Sequence, residues 1–239
     1  MAWLLVALLM LIVPAARAAE PVDIALVLVS DVSRSIDDSE FALEKTGYAA
    51  AFTDPHVLAA IRGGAIGAIA VSYLEFAGAD EVKAVVDWVL IRDDASGRAF
   101  AARLLAAPRS SHGRTAIGAG IARAAGMLAE SGFEAQRRVI DVCGDGTNNS
   151  GPELVPARAA ALAAGITVNG LAIINDHPVN YSFAHTQPPG GLAKYYRDNV
   201  AGGPGSFVLE IHDFHAFGTA MIRKLVEEIA AAGAPPARL

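Results

Sequence analysis

One cysteine, Cys143, occurs in 239 residues, so no intramolecular disulfide can form and the chain depends on its core for stability. Cys143 sits in the apolar segment Val139 to Cys143, where it reads as a small buried thiol and not as a nucleophile. Charge is scarce as well: 18% of residues are charged against 53% hydrophobic, which argues against a disordered chain. The formal net charge is -6 and no stretch gathers Lys and Arg into a stripe, so nucleic acid is not an expected partner. Neither a Gly-x-Ser-x-Gly elbow nor a P-loop occurs. His177, His185, His212 and His215 form no His-x-x-x-His pair and have no supporting Cys, so ordinary surface or capping roles are expected for them in place of zinc ligation.

The N-terminus carries an uncharged apolar run, Ala2 to Ala16, followed by Ala16-Arg17-Ala18-Ala19. It reads as a signal peptide over residues 1–19 with an A-x-A type cleavage site after Ala18 or Ala19, and predicts a periplasmic or secreted protein. Its n-region lacks Lys and Arg, which leaves an uncleaved anchor as the alternative, but a bilayer span normally needs about 20 apolar residues. No Cys lies near the cleavage site to carry a lipid, and no membrane span is expected in the mature chain.

What remains is one domain, residues 20–232, with a flexible tail at 233–239. Strand-like segments at Asp23 to Val29, Ala65 to Phe76, Val82 to Ile91, Arg138 to Cys143, Ile166 to Ile174 and Ser206 to Ile211 alternate with helix-like ones. The helices are expected at Asp37 to Phe52, Ser96 to Leu105, Ala116 to Ala129, Pro152 to Ala164 and Phe214 to Ala231. The last shows Phe214, Phe217, Met221, Leu225 and Ile229 on one face, with Arg223, Lys224, Glu227 and Glu228 assigned to its outer side. The short link Ala77 to Glu81 contains Gly78 and suits a hairpin. The pattern predicts an α/β fold of Rossmann-like type: a central, mostly parallel six-stranded sheet with one antiparallel edge strand and helices on both faces.

Asp31-Val32-Ser33-Arg34-Ser35 follows the first apolar strand. Alternate residues of an extended segment point the same way, so one carboxylate and two hydroxyls can converge. Thr115 precedes the helix at Ala116, and Asp145 follows the strand that ends at Cys143. In a parallel sheet all three loops emerge at the carboxyl edge, where ligands collect. Two converging Asp side chains repel each other unless a cation joins them. Oxygen donors without His or Cys suit Mg²⁺, with Mn²⁺ and Ca²⁺ as alternatives. A competing reading has Ser33, Ser35 and Asp37 cap the first helix. Asp145, Thr147 and Asn149 also alternate like the start of a Ca²⁺ loop, but Gly151 falls one position late and no Glu follows at the twelfth. The Asn148-Asn149-Ser150 and Asn180-Tyr181-Ser182 sequons read as chance matches.

These five residues resemble, in order and context, the metal-ion-dependent adhesion site of the von Willebrand factor A domain: Asp-x-Ser-x-Ser, a Thr and a later Asp. The resemblance covers roughly Val22 to Ala231. The chain is also similar to the exported bacterial group named domain of unknown function 1194, most closely at Gly144 to Asn149 and at Tyr195 to Gly205. The resemblance implies that Ser33, Ser35 and Thr115 bind a metal directly and that Asp31 and Asp145 act in part through water. It further implies that an Asp or Glu of a protein partner completes the coordination. Arg34, Arg114 and Asn148 are assigned to the partner-binding rim, with a solvated surface role as the alternative for the two Arg residues. Two departures stand out: Arg114 occupies a position where the family often has a small residue, and Gly144 replaces the usual hydroxyl residue before Asp145. The leading expectation is therefore an exported, non-enzymatic protein-binding module. The alternatives are a metal-dependent hydrolase of phosphate esters and a metal-independent assembly scaffold.

Overall fold

The computed structural model describes residues 19–174 and 188–230. Residues 1–18 of the signal peptide expected at 1–19, the loop holding His177, His185 and the second sequon, and the tail expected at 233–239 lie outside the described residues. Six strands form one sheet in the order β3-β2-β1-β4-β5-β6: β1 Glu20–Asp31, β2 Ile69–Phe76, β3 Val82–Ile91, β4 Phe133–Gly144, β5 Ile166–Ile173 and β6 Val208–Ile211. Every neighbouring pair is parallel except β2 with β3. The antiparallel edge follows from the tight link, in which Glu81 N donates to Gly78 O at 3.0 Å and Ala77 N to Glu81 O at 2.9 Å.

The helices are α1 Asp38–Ala51, α2 Pro55–Arg62, α3 Asp94–Ala106, α4 Ile117–Ala129, α5 Leu154–Ala163, α6 Leu192–Asn199 and α7 Phe217–Ala230. β1 is apolar throughout its middle because both its faces are covered. Ile24, Leu26 and Leu28 join Tyr48, Phe52, Phe100, Phe217 and Met221 on one face. Ala25, Val27 and Val29 join Ile117, Ile121, Leu154 and Tyr196 on the other. The chain leaves β1 toward β2 and β3, then crosses to β4 on the far side of β1. Strand order therefore reverses between β1 and β4, and the carboxyl ends of these two strands are where the ligand crevice of such a sheet lies.

Besides β4, which begins at Phe133 in place of Arg138, three local features depart from expectation. The second strand begins at Ile69, not Ala65, because the buried Asp23 carboxylate accepts the N–H groups of Ile66 at 3.0 Å, Gly67 at 2.8 Å and Ala68 at 3.3 Å. Those bonds hold the stretch as a turn, with Gly67 at φ 76. α2 was not anticipated, although Asp54 as N-cap and Pro55 in the first turn are ordinary start signals. Lys224 and Glu228 do not face solvent: they are 0% and 1% exposed. Lys224 pairs with Asp141 of β4 and lies 3.7 Å from Glu228, whose Oε1 accepts from Asn169 Nδ2 at 2.6 Å. Burial alone would lower the Lys224 pKa, but the Asp141 and Glu228 carboxylates outweigh it and raise it.

Candidate metal site

Asp31 closes β1, and the next amide, Val32 N, donates to Phe76 O at 2.8 Å, anchoring the loop to β2. Asp37 alone caps α1: its Oδ1 accepts Ser39 N at 2.8 Å and Glu40 N at 2.9 Å, and Glu40 Oε2 accepts Asp37 N at 2.8 Å. This capping box leaves Ser33 and Ser35 for the crevice. Ser33 N donates to Asp31 Oδ1 at 2.8 Å, and Ser33 Oγ lies 3.1 Å from Ser35 Oγ. Ser35 Oγ donates to Asp145 Oδ1 at 2.7 Å, and Thr115 Oγ1 donates to Ser33 Oγ at 3.3 Å. Thr115 is itself fixed from the loop after β4, since its N–H donates to Asn149 Oδ1 at 3.0 Å and its carbonyl accepts Asn149 N at 2.9 Å. The side chains of Asp31, Ser33, Ser35, Thr115 and Asp145 thus meet at one edge, drawn from three loops.

Asp31 and Asp145 are 0% and 1% exposed. Burial first, and the Asp145 carboxylate second, push the Asp31 carboxyl up to about 8; the Ser33 bonds and Arg109 act in the opposite direction. Asp31 Oδ2 has no hydrogen-bond partner among the described residues. Behind it Glu44, which accepts from Ser30 Oγ, is also pushed up to about 8 by burial. A buried carboxylate with one oxygen unmet, beside a second carboxylate and three hydroxyls joined through Ser33, suits a small hard cation. Among the described residues no group of three or more His, Cys, Asp or Glu side chains is arranged to hold a metal, so a site here depends on the hydroxyls.

On the rim, Arg34 and Arg114 are exposed. Arg34 ties two loops together through Arg34 N to Gly113 O at 3.1 Å and Nε to His112 O at 3.0 Å. Asn148 is engaged differently from the expected rim role. Its Oδ1 accepts Gly118 N at 2.9 Å in the first turn of α4, a helix whose own N-cap residue Ala116 offers no side-chain bond. Its backbone N–H donates to Tyr195 Oη at 3.1 Å. Asn149, offered as a Ca²⁺-loop position, has its side-chain oxygen Oδ1 occupied by the N–H of Thr115. Cys143 is buried and its thiol pKa is raised well above the ordinary value by burial, which disfavours the nucleophilic thiolate.

Arg109, in the loop between α3 and α4, organises the site from behind. Its side chain is 7% exposed, and Nη2 donates to Val32 O at 2.9 Å, Ser33 O at 2.9 Å and Ile36 O at 2.8 Å. Nη1 also pairs with Asp38 at 3.2 Å. One guanidinium therefore sets the backbone of the loop that carries Ser33 and Ser35. The planar fork of an Arg suits this, but nothing local in the sequence separates it from a solvated Arg. Gly144 also finds its reason here: a Cβ at that position would lie 2.8 Å from Tyr196 Oη and 2.9 Å from Asp31 Cβ, closer than real contacts allow.

A search of curated proteins finds no match. Among solved structures, proximal thread matrix protein 1 from the mussel byssus, in a form with a zinc-occupied MIDAS motif, aligns at TM-score 0.60 and 17% identity, over 88% of this chain and 48% of that one. A von Willebrand factor type A protein from Catenulispora acidiphila aligns at 0.57 and 16%, over 88% and 43%. The pilus adhesin SpaC of Lactobacillus rhamnosus GG, in an open conformation, aligns at 0.56 and 16%, over 91% and 31%. This chain thus spans about half or less of each of those molecules, and at such identities the likeness establishes the fold alone. A family profile described as protein of unknown function (DUF1194) matches residues 21–233. With that match over most of the 239 residues, the chain belongs to the DUF1194 family and carries a von Willebrand factor A-like fold.

Proposed function

We propose that the crevice binds a divalent cation, Mg²⁺ ahead of Mn²⁺ or Ca²⁺, through Asp31, Ser33, Ser35, Thr115 and Asp145, and that the protein works outside the cytoplasm as a non-enzymatic binding module. The observation that carries this reading is the buried Asp31 carboxylate, with its Oδ2 unmet, set against Asp145 and three hydroxyls joined through Ser33. When bound, the ion supplies a positive centre with a position open to a carboxylate from outside. The chain's own residues do the rest. Ser33 N orients Asp31, Ser35 steadies Asp145, and Arg109 holds the loop between them. Exposed Arg34 and Arg114 border the crevice and favour the approach of a partner that presents an Asp or Glu.

The zinc-occupied motif of the mussel protein supports a divalent ion in this fold, and the N-terminal apolar run with its A-x-A site supports export. Calorimetric titration of the mature chain with Mg²⁺ and Mn²⁺ is expected to show saturable binding that Ser33→Ala/Ser35→Ala abolishes. Capture of an acidic partner is expected in Mg²⁺ and not in chelator. No heat of binding for either ion would remove the basis of the proposal.

A further inference from the structure

Tyr196, on α6, is wholly buried, yet its hydroxyl has no hydrogen-bond partner among the described residues. Such a group is destabilising unless some state of the protein satisfies it. Its position is informative. A Cβ on Gly144 would fall 2.8 Å from Tyr196 Oη and 3.1 Å from Asp31 Oδ2. Gly144 thus leaves a gap between Asp31 and α6 that both oxygens border. Asp31 Oδ2 is likewise buried and unmet. A phenol can donate and an ionised carboxylate can only accept, so the two groups are complementary once Asp31 carries its charge.

We propose that Tyr196 is a positioning residue for the metal site, its hydroxyl donating to the Asp31 carboxylate in the metal-bound protein and supplying from α6 the hydroxyl that position 144 lacks. The inference rests on the metal reading above. In the structure described here neither oxygen has that bond, so a small reorientation of either side chain accompanies binding. The neighbouring Tyr195 holds the other side of the crevice: its Oη accepts Asn148 N at 3.1 Å, and Asn148 Oδ1 accepts Gly118 N at 2.9 Å. α6 therefore meets the end of β4 through Tyr196 and the loop after β4 through Tyr195. Occupancy of the site and docking of α6 become thermodynamically linked, each strengthening the other.

The test is Tyr196→Phe in the mature chain, with Mn²⁺ as probe. Calorimetry is expected to show binding weakened about ten-fold, the scale of one hydrogen bond to a charged group. In chelator the unfolding midpoint of the variant is expected to equal or exceed that of wild type, because no bond is lost there. A hydroxyl with a merely structural role would do the reverse, lowering the chelated midpoint and leaving Mn²⁺ affinity intact. Equal Mn²⁺ affinity in both proteins, or a lower chelated midpoint in the variant, overturns this inference while leaving the metal site standing. A wild type that binds no Mn²⁺ overturns both.

Discussion

Replacing Asp31 by Asn removes a buried charge while keeping an oxygen to accept Ser33 N, and its effect should change sign with metal. Burial and the Asp145 carboxylate hold the Asp31 carboxyl at about 8, against an ordinary 3.8. At ~1.4 kcal/mol per pH unit the ceiling on the destabilisation at pH 8 is about 6 kcal/mol. Local relaxation and entry of water reduce it, and a gain of about 2–3 kcal/mol is expected for the Asn variant in chelator. For a domain of this size that is roughly 4–12 °C in Tm. The pH sign follows from linkage. Folded Asp31 keeps its proton to higher pH than the unfolded chain does, so the stability from this group is full below 3.8 and is lost as pH rises toward and through about 8. The advantage of the variant should therefore grow between pH 5 and pH 8 and level off above. Mn²⁺ at a thousand times its Kd adds about 4 kcal/mol to wild type and little to the variant, so the order of stabilities should reverse. Thermal unfolding of both proteins in chelator and in Mn²⁺, at pH 5, 6.5 and 8, checks this. A variant less stable than wild type in chelator at pH 8, or one whose rank Mn²⁺ leaves unchanged, refutes the reasoning.

Arg109→Lys keeps the charge and one nitrogen for the loop carbonyls, but it loses the Nε bond to Ser111 O, the Nη1 bond to Asp38 and the rigid planar fork that aims Nη2. It is expected to cost about 1.5–3 kcal/mol in urea unfolding and to weaken metal binding, and parity with wild type in both assays would contradict the assigned role. Lys224→Met leaves the buried Asp141 and Glu228 without their cation. A loss of about 3–5 kcal/mol is expected near neutral pH, shrinking in acid because burial already raises the Glu228 pKa; a loss below about 1 kcal/mol would show the network to be incidental.

The layered fold was legible because its signals are local and repeated. β1 is apolar without interruption from Ile24 to Val29, as a strand covered on both faces must be, and Gly78 in a five-residue link marks the one antiparallel pair. The candidate cluster was legible for a related reason: once the strands are parallel, Asp31, Thr115 and Asp145 have to emerge at the same edge. Solitary polar residues inside apolar patterns were not legible. Asp23 reads as one more strand residue until its carboxylate is seen bending residues 66–68, and Asp141 gives no hint that Lys224 and Glu228 will turn inward to meet it.

Composition and periodicity alone thus determined a single α/β core without disulfides, a mostly parallel sheet with one antiparallel edge pair, and an oxygen-rich set of side chains at its carboxyl edge. The partners of those side chains were decided only by the tertiary structure. Arg109 reaches three carbonyls 73 to 77 positions away, Asn148 caps a helix from another loop, and Tyr196 brings its hydroxyl to the gap beside Gly144. Periodicity reports which face of an element is apolar. It carries no information about which distant polar atoms that face will meet, because those meetings depend on the crossing from β3 to β4 and on the fit of loops that share no local pattern.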